Sequence, residues 1–237
     1  MPLPINPRKI VIFSGAGISA ESGIKTFRDN DGLWAERDPM EIASIKAWNE
    51  TPEAVIDFHN ERLIEVQKAE PNAAHLALAE LEEHFEVVIV TQNVDDLHER
   101  AGSTNVLHLH GSVTEVYPDG NPKAVIQRGF KPLEYSLSSE GEILRPNIVL
   151  FGELIHHDLE AVNHLQTAGR VMVVGTSLSV YPAAGMLKKT RFNAERVIVA
   201  LEVDKKPYGF DFIRGKAGIN VPHLVNRWIK EGPRKLT

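Results

Sequence analysis

A glycine-rich turn near the start of the chain is the first feature with residues that could do chemistry. Gly15, Ala16, Gly17 and Ala20 follow a short apolar run at residues 10–13, in the spacing G-x-G-x-x-A. In that spacing the first glycine permits a tight turn, the second lets the backbone approach a pyrophosphate, and a small third residue lets the next helix pack against the strand. Free N–H groups at the helix start also favour a phosphate. The turn therefore predicts a dinucleotide site.

The residues after this turn differ from those of an ordinary dehydrogenase. Gly23 limits the following helix to a turn or two, and Phe27 and Arg28 then place an aromatic ring and a cation in a loop beside the phosphate turn. A dehydrogenase would reach a second strand ending in an acidic residue about 20 positions on. Glu36 and Asp38 stand at that distance, but no strand pattern precedes them. We therefore expect a dinucleotide, and not its ordinary use in hydride transfer.

Polar side chains follow two further apolar runs. Gln92, Asn93 and Asp95 come after residues 87–90, and His110 comes after residues 106–109. Open parallel sheets bind ligands outside the carboxyl ends of their strands, and an imidazole can take up a proton near pH 7. Helix capping by the amide or carboxylate side chains, and a structural role for the histidine in the core, are the alternatives. The positions of these residues favour a ligand-binding site at the carboxyl ends of the strands.

A helix predicted to begin at Pro52, with Thr51 as its N-cap, carries a polar pair within its apolar stripe. His59 and Arg62 lie three residues apart and share one face of this helix. They form either a satisfied buried pair or a pair that projects into a pocket, where Arg62 could hold a carboxylate through two hydrogen bonds. The sequence leaves both interpretations open.

The elements that would position these residues alternate between strands and helices. Apolar runs predict six strands, at residues 10–13, 87–90, 106–109, 148–151, 171–174 and 197–201. Helical patterns lie between them, one predicted from Pro182 to Arg191 and a closing one from Pro222. Prolines and glycines punctuate residues 113–146 and predict a small, mostly β or irregular insertion. The pattern is that of an α/β fold with a doubly wound, mostly parallel, Rossmann-like sheet.

Composition narrows the class of protein. The chain has 237 residues, 43% of them hydrophobic, which suffices for one sizeable core. Its formal net charge of −6 argues against a nucleic-acid partner. The absence of cysteine excludes disulfides, iron–sulfur clusters, thiolate zinc sites and a cysteine nucleophile. No signal peptide is visible, nor the roughly 18 apolar residues of a membrane span, so a cytoplasmic protein without a membrane partner is expected.

Five motifs, in this order, resemble those of the sirtuins, the NAD-dependent protein-lysine deacylases. They are GAGISAESGIKTFR, TQNVDDLHERAG, HLHGS, RPNIVLFGE and GTSLSVYPAAG, and they extend over nearly the whole chain. The runs GLW, PNAAHLAL and LHERAG are most similar to the class III branch, which includes many bacterial deacylases and the desuccinylases. The resemblance implies that the acyl oxygen attacks the ribose carbon of NAD as nicotinamide leaves, giving nicotinamide, deacylated lysine and O-acyl-ADP-ribose.

The resemblance also implies a role for particular residues. His110 would be the catalytic base, with Asn93 as a second catalytic residue. The residues implied to bind NAD are Gly15, Ala16, Gly17, Ser19, Phe27, Arg28, Gln92, Asn93, Asp95, Gly175, Thr176, Ser177, Lys216 and Ala217. The residues implied to bind the acyl-lysine protein or peptide are His59, Arg62, Val149, Phe151, Gly152, Glu153, Val180 and Tyr181. The peptide backbone would pair as an added strand.

Domain boundaries follow from the same motifs. Residues 1–35, 72–111 and 147–237 are expected to form the NAD-binding domain. Residues 36–71, which are helical, and residues 112–146 are expected to form a small domain. The sequence does not determine the oligomeric state, and a monomer is compatible with it.

Three features of the sequence depart from the sirtuin pattern. Glu115, Val116 and Tyr117 occupy the neighbourhood of the first zinc-binding cysteines, so no zinc is expected. His59 replaces the tyrosine of a Tyr-x-x-Arg pair that is typical of desuccinylases. Because the arginine is kept, acidic acyl groups such as succinyl remain candidates, although deacylation in general is better supported. Ala200 replaces an asparagine that faces the adenosine, which predicts a weaker or altered NAD affinity.

Two other functions would need the same NAD pocket. The chain could be an NAD-binding sensor with little deacylase activity. It could also be an NAD glycohydrolase or ADP-ribosyltransferase that transfers ADP-ribose to water or to a protein. Product identity separates the three hypotheses.

Overall fold

The computed structural model of the chain describes residues 3–26, 38–135 and 143–235. Phe27 and Arg28 lie outside the described residues. The strands within the described part are β1 (Asn6–Ser14), β2 (Glu86–Thr91), β3 (Val106–His108), β4 (Gly111–Pro118), β5 (Ile126–Gln127), β6 (Leu144–Ile148), β7 (Ala168–Val174), β8 (Glu195–Ala200) and β9 (Asp211–Arg214).

Six of these strands form one sheet in the order β3-β2-β1-β7-β8-β9, and every neighbouring pair is parallel. This is the strand order of a doubly wound nucleotide-binding sheet, in which the direction of winding reverses between the strands that come first and fourth among the six strands of the sheet. Here those strands are β1 and β7. The predicted α/β, doubly wound, Rossmann-like fold is confirmed.

The helices of the described part lie mostly where the sequence predicts them. They are α1 (Pro39–Ile42), α2 (Ile45–Glu50), α3 (Pro52–Lys68), α4 (Ala73–Leu81), α5 (Leu97–Arg100), α6 (Asp158–Thr167) and α7 (Ala217–Glu231). The prediction that α3 begins at Pro52 is confirmed. The predicted helix from Pro182 is a 3-10 helix, Ala183–Lys189. The closing helix begins at Ala217, and Pro222 lies inside it, so that predicted start is wrong.

The prediction of a parallel strand at residues 148–151 is also wrong. β6, which ends at Ile148, pairs antiparallel with β4 in a separate three-stranded sheet of order β5-β4-β6. The sixth parallel strand is β9, with the sequence DFIR and a largely exposed surface. It has no apolar run because it lies at the edge of the sheet and buries little of either face.

Alternate side chains of β1 build two apolar layers, one on each face of the parallel sheet. Ile10 and Ile12 pack with α4 and with the Val221 and Trp228 side chains of α7. Val11 and Phe13 pack on the opposite face with α6. The four β1 side chains are fully buried, which explains why the strand reads as a continuous apolar run. Both layers hold the carboxyl end of β1 in place.

Candidate active site

A cavity of about 1190 Å³ lies at the carboxyl ends of β1 and β7, where the winding of the sheet reverses. Ligands of doubly wound sheets bind at this place. The predicted residues that line it are Gly15, Ala16, Gly17, His59, Arg62, Gln92, Asn93, His110, Val149, Phe151, Gly152, Glu153, Gly175, Thr176, Ser177, Val180, Tyr181, Lys216 and Ala217. Ser19 and Asp95 do not line the cavity. The structure therefore brings together residues from five separate motifs.

Two glycine turns, one after β1 and one after β7, are locked together at one end of the cavity. The Gly15 N–H donates to the Val174 carbonyl at 3.0 Å, and the Gly17 N–H donates to the Gly175 carbonyl at 2.7 Å. A Cβ on Gly15 would lie 2.7 Å from the Thr176 Cβ. Since no side chain fits there, backbone atoms form this wall, as a bound pyrophosphate requires. These residues fit the phosphate part of a dinucleotide.

Ser19 and Asp95 lie behind the cavity wall and orient Asn93. The Asn93 Nδ2 donates to the Ser19 Oγ at 3.2 Å, and the Ser19 Oγ donates to the Asp95 Oδ2 at 3.0 Å. The Leu97 N–H donates to the other Asp95 oxygen at 3.2 Å. Burial raises the pKa of Asp95, although these hydrogen bonds oppose the rise. The Asn93 Oδ1 is buried and has no hydrogen-bond partner among the residues that the structure describes, and a ligand in the cavity would supply one.

His110 lies on the turn between β3 and β4 and lines the cavity. Its Nδ1 lies 2.9 Å from the Gln92 carbonyl. Because a carbonyl only accepts hydrogen bonds, Nδ1 carries the proton and Nε2 is the basic nitrogen. Burial lowers the pKa of His110, and the nearby His156 lowers it further, while the Gln92 hydrogen bond opposes both. The side chain is therefore neutral at pH 7 and able to accept a proton.

The lowered pKa of His110 predicts the acid side of the pH–rate profile. A catalytic base must be neutral to work, so kcat/KM should rise with pH and level off once His110 has lost its proton. The midpoint of this rise should lie below about pH 6.5, the ordinary pKa of histidine. The measurement is kcat/KM for a peptide substrate from pH 5 to 9, beside NAD affinity over the same range. A midpoint above 7 would contradict this account of His110.

Gly111 makes the sharp turn that directs His110 towards the cavity. Its φ of +78° lies in the left-handed region, and a Cβ there would be 1.9 Å from the Asn147 carbonyl oxygen. A glycine is required at this position. The neighbouring His108 does not line the cavity. It donates through Nδ1 to the Asn93 carbonyl at 2.9 Å and through Nε2 to Glu99 at 2.7 Å.

The charge of His108 follows from these two contacts. Burial alone would lower the pKa of His108, but the hydrogen bond and the negative charge of Glu99 outweigh it, so the pKa is raised. The imidazolium has two donors and uses both. His108 thus ties the backbone of Asn93 to β3, which is a structural role.

His59 and Arg62 lie on the cavity side of α3, as one of the two interpretations of the sequence requires. Both residues are buried, and Phe58 from the same helix also lines the cavity. The other interpretation, a buried pair whose hydrogen bonds are made within the protein, also agrees with part of the structure. His59 bonds to the Val55 carbonyl and Arg62 bonds to Glu65.

The segment of residues 149–153 forms another wall and is tightly held. The Val149 N–H donates to the His110 carbonyl at 2.9 Å, and the Phe151 N–H donates to the Ala43 carbonyl at 2.8 Å. The Leu150 N–H donates to the carboxylate of Glu153 at 2.8 Å. Across the cavity, Tyr181 leaves 65% of its surface exposed. This side of the cavity is therefore open to a polypeptide.

Several lining residues were not identified from the sequence. Glu202, Asp204 and Arg214 line the end of the cavity near Lys216, together with Ala200. Arg214 ends β9, the strand whose polar sequence gave no apolar run. A glycine after a polar strand, Gly215, is the only sequence signal there and is too weak to predict a site.

Within the described ranges, no group of three or more His, Asp or Glu side chains is placed to hold a metal ion. The chain has no cysteine. Among the helices of the described part, none is both long enough and apolar enough to cross a membrane.

Comparison with known proteins gives consistent matches. The model of the Sir2 family matches residues 15–182. An NAD-dependent protein deacylase of Helicobacter pylori is 51% identical over 180 residues, which cover 76% of this chain and 78% of the relative. An NAD-dependent protein deacylase of Bacteroides thetaiotaomicron is 41% identical over 235 residues, which cover 97% and 96%.

Two solved structures place ligands in the same fold. A Sir2 homologue in complex with NAD is 37% identical, with a TM-score of 0.81 over 94% of this chain and 90% of that one. A Sir2 protein with a p53 peptide and NAD⁺ is 32% identical, with a TM-score of 0.73 over 94% and 93%. The family model covers more than half of the chain, and the two relatives match 76% and 97% of it. This chain therefore belongs to the Sir2 family of NAD-dependent enzymes.

Proposed function

We propose that the chain is a protein-lysine deacylase that consumes NAD and releases nicotinamide, deacylated lysine and O-acyl-ADP-ribose. The observation that carries this proposal is the position of His110. Its basic Nε2 belongs to the same cavity as the two glycine turns that fit a pyrophosphate. The deacylase names of the relatives support the same reaction.

The residues of the cavity have separate tasks in this reaction. When bound, NAD supplies a ribose carbon from which nicotinamide can leave and which the acyl oxygen of the substrate then attacks. Asn93 presents a buried polar side chain to the ribose, and Phe58, Ile148 and Val149 give the cavity apolar walls that exclude water. His110 accepts the proton of a ribose hydroxyl, so that the hydroxyl oxygen can attack the acyl carbon.

An acyl-lysine polypeptide is the proposed partner. The groove between residues 149–153 and 179–181 opens to solvent, and both Phe151 and Tyr181 are exposed beside it. A peptide can add its backbone to such an edge as an extra strand. The similarity to a Sir2 structure that contains a p53 peptide supports a polypeptide substrate.

Product identity tests the proposed function. Purified protein, NAD and matched acetyl-lysine, succinyl-lysine and longer acyl-lysine peptides would be incubated and followed by mass spectrometry. Deacylated peptide together with O-acyl-ADP-ribose in equal amounts is the expected result. Free ADP-ribose without deacylated peptide would indicate an NAD glycohydrolase instead. NAD left intact would indicate a binding protein.

We further propose that residues 36–71 and 112–146 act as one small domain, and that residues 1–35, 72–111 and 147–237 form the NAD-binding domain. Contacts between the two parts of the small domain support this division. The Trp48 Nε1 donates to the Asp119 Oδ2 at 3.1 Å. The guanidinium of Arg145 lies 5.1 Å from the Trp48 ring and 5.2 Å from the Tyr117 ring. It also binds both oxygens of Glu153, at 3.0 and 3.1 Å.

This arginine cluster predicts how the small domain is held without cysteines. The Arg145 side chain is only 4% exposed. Arg145→Met should lower the free energy of unfolding by about 2–3 kcal/mol, because it leaves the Glu153 carboxylate without its partner. Arg8→Met is the control, since Arg8 also lies over a ring, that of Phe85, but is exposed; it should cost less than about 1 kcal/mol. Equal losses in urea unfolding would contradict the prediction.

A further inference from the structure

Arg62 gives the wall of the cavity a buried positive charge. Its side chain is 5% exposed, and it lines the same cavity as His110 and Asn93. A guanidinium in such a place is the strongest carboxylate receptor that a protein side chain offers, because two parallel N–H groups match two carboxylate oxygens. By itself this charge would favour an acyl group that ends in a carboxylate.

A carboxylate of the chain already occupies this guanidinium. Glu65, one turn further along α3, binds the Arg62 Nη1 through its Oε2. The Arg62 Nη2 also donates to the Lys25 carbonyl at 3.4 Å. Glu65 does not line the cavity and is partly exposed, so it neutralises Arg62 from the solvent side. An acidic acyl group would have to compete with this internal carboxylate for the same cation.

His59 also favours a neutral acyl group. Its Nδ1 donates to the Val55 carbonyl at 2.7 Å. Burial, with smaller contributions from the positive charges of Arg128, Arg145 and Arg62, lowers the pKa of His59 to about 4, although the Val55 hydrogen bond opposes the change. The ring is therefore neutral at pH 7, and Nε2 is a lone-pair acceptor. A carboxylate has only acceptors, so it gains nothing from this nitrogen.

We propose that Glu65 determines the acyl selectivity of the protein. Its carboxylate binds Arg62, and the cavity therefore prefers neutral acyl groups to acidic ones such as succinyl. The proposal rests on the proposed deacylase function and goes beyond it by naming the acyl class and the residue that sets it. Removal of the Glu65 charge should make the positive charge of Arg62 more available to a substrate carboxylate.

The test compares Glu65→Gln and Glu65→Ala with the wild type on acetyl-lysine and succinyl-lysine peptides of one sequence. Asp57→Asn is the matched control, because it removes one negative charge from an exposed position of the same helix. The readouts are kcat/KM for each peptide and, independently, the affinity of each peptide measured by calorimetry without turnover. Thermal unfolding confirms that each variant is folded.

Both Glu65 variants should raise the succinyl-to-acetyl ratio by at least about tenfold, in kcat/KM and in peptide affinity, the effect of one charge-assisted hydrogen bond gained. Acetyl turnover should change little, Asp57→Asn should leave the ratio unchanged, and Arg62→Gln added to Glu65→Gln should abolish the gain. An unchanged ratio in both Glu65 variants, or a wild type that already prefers succinyl, would overturn the proposal. Peptide affinity is measured without NAD, so the proposal about Glu65 is tested even if the protein deacylates no peptide. A lack of deacylation would overturn the proposed function but not the proposal about Glu65.

Discussion

His110→Ala is expected to lower kcat/KM for deacylation by about 10²–10⁴-fold, the usual contribution of a general base. His110 is the only histidine besides His59 that lines the cavity within the described residues. Unlike His59, which bonds to its own helix, it presents its basic Nε2 beside Gln92 and Asn93 at the end of the parallel sheet. The affinity for NAD should remain nearly unchanged, because the pyrophosphate would be held by the two glycine turns and not by this ring.

The control for this experiment is His223→Ala. His223 is exposed on α7 and lies outside the cavity, so its removal should leave both turnover and NAD affinity as they are. Deacylation would be followed by mass spectrometry and NAD affinity by calorimetry. Undiminished turnover of His110→Ala would remove the imidazole from its proposed role. A parallel loss of NAD affinity would instead mean that His110 holds the cofactor.

The parts of the fold that bury both faces could be predicted from the sequence. β1, β2, β7 and β8 each read as a continuous apolar run because helices cover both sides of the parallel sheet. β9 could not be found in the same way, since its four residues are mostly exposed at the sheet edge. The apolar run at residues 148–151 led to a wrong prediction for the opposite reason, because these residues are apolar but do not belong to the parallel sheet. Its apolar side chains line the cavity or pack against α2 and α3, and they do not join the layers on the two faces of the parallel sheet.

Pro222 shows how packing can override a local signal. Proline is most favourable in the first turn of a helix, which made it the predicted start of α7. In the structure the helix starts five residues earlier, at Ala217. A proline inside a helix costs about 3 kcal/mol, but Val221, Leu224, Val225 and Trp228 bury their side chains against the sheet. The burial of four large apolar side chains outweighs that cost.

The site was predictable as a set of motifs, and its internal pairing was not. Spacing alone indicates that Asn93 and His110 follow neighbouring strands and meet at one edge. It does not indicate that Ser19 and Asp95 lie behind Asn93, because that depends on how the segment around Ser19 packs against a loop 76 residues further along the chain. The same holds for Glu65. Its spacing permits a contact with Arg62, but a spacing of three residues on a helix is common at surfaces and carries no functional signal.

Gly175→Ala should abolish NAD binding, with a loss of affinity of more than about 100-fold, the cost of misplacing binding groups by about 1 Å. Gly175 has a φ of +65°, and a Cβ there would lie 2.1 Å from the Ile18 N and 2.6 Å from the Gly17 carbonyl carbon. Both atoms belong to the backbone of the first glycine turn, which cannot move away without breaking the hydrogen bond from the Gly17 N–H to the Gly175 carbonyl. The two turns that form the phosphate wall would therefore separate.

Gly120→Ala distinguishes this steric effect from backbone strain. Gly120 has a similar φ of +90°, but a Cβ there would have no atom of the described residues within 4 Å, apart from its chain neighbours. Both substitutions pay the strain of a left-handed alanine, about 1–2 kcal/mol, which unfolding experiments would measure. Only Gly175→Ala also displaces the turn after β1, so only that variant should lose NAD affinity in calorimetry. If the two alanine variants bound NAD equally well, the paired glycine turns would not be the phosphate site, and the dinucleotide would have to be held by other residues of the cavity.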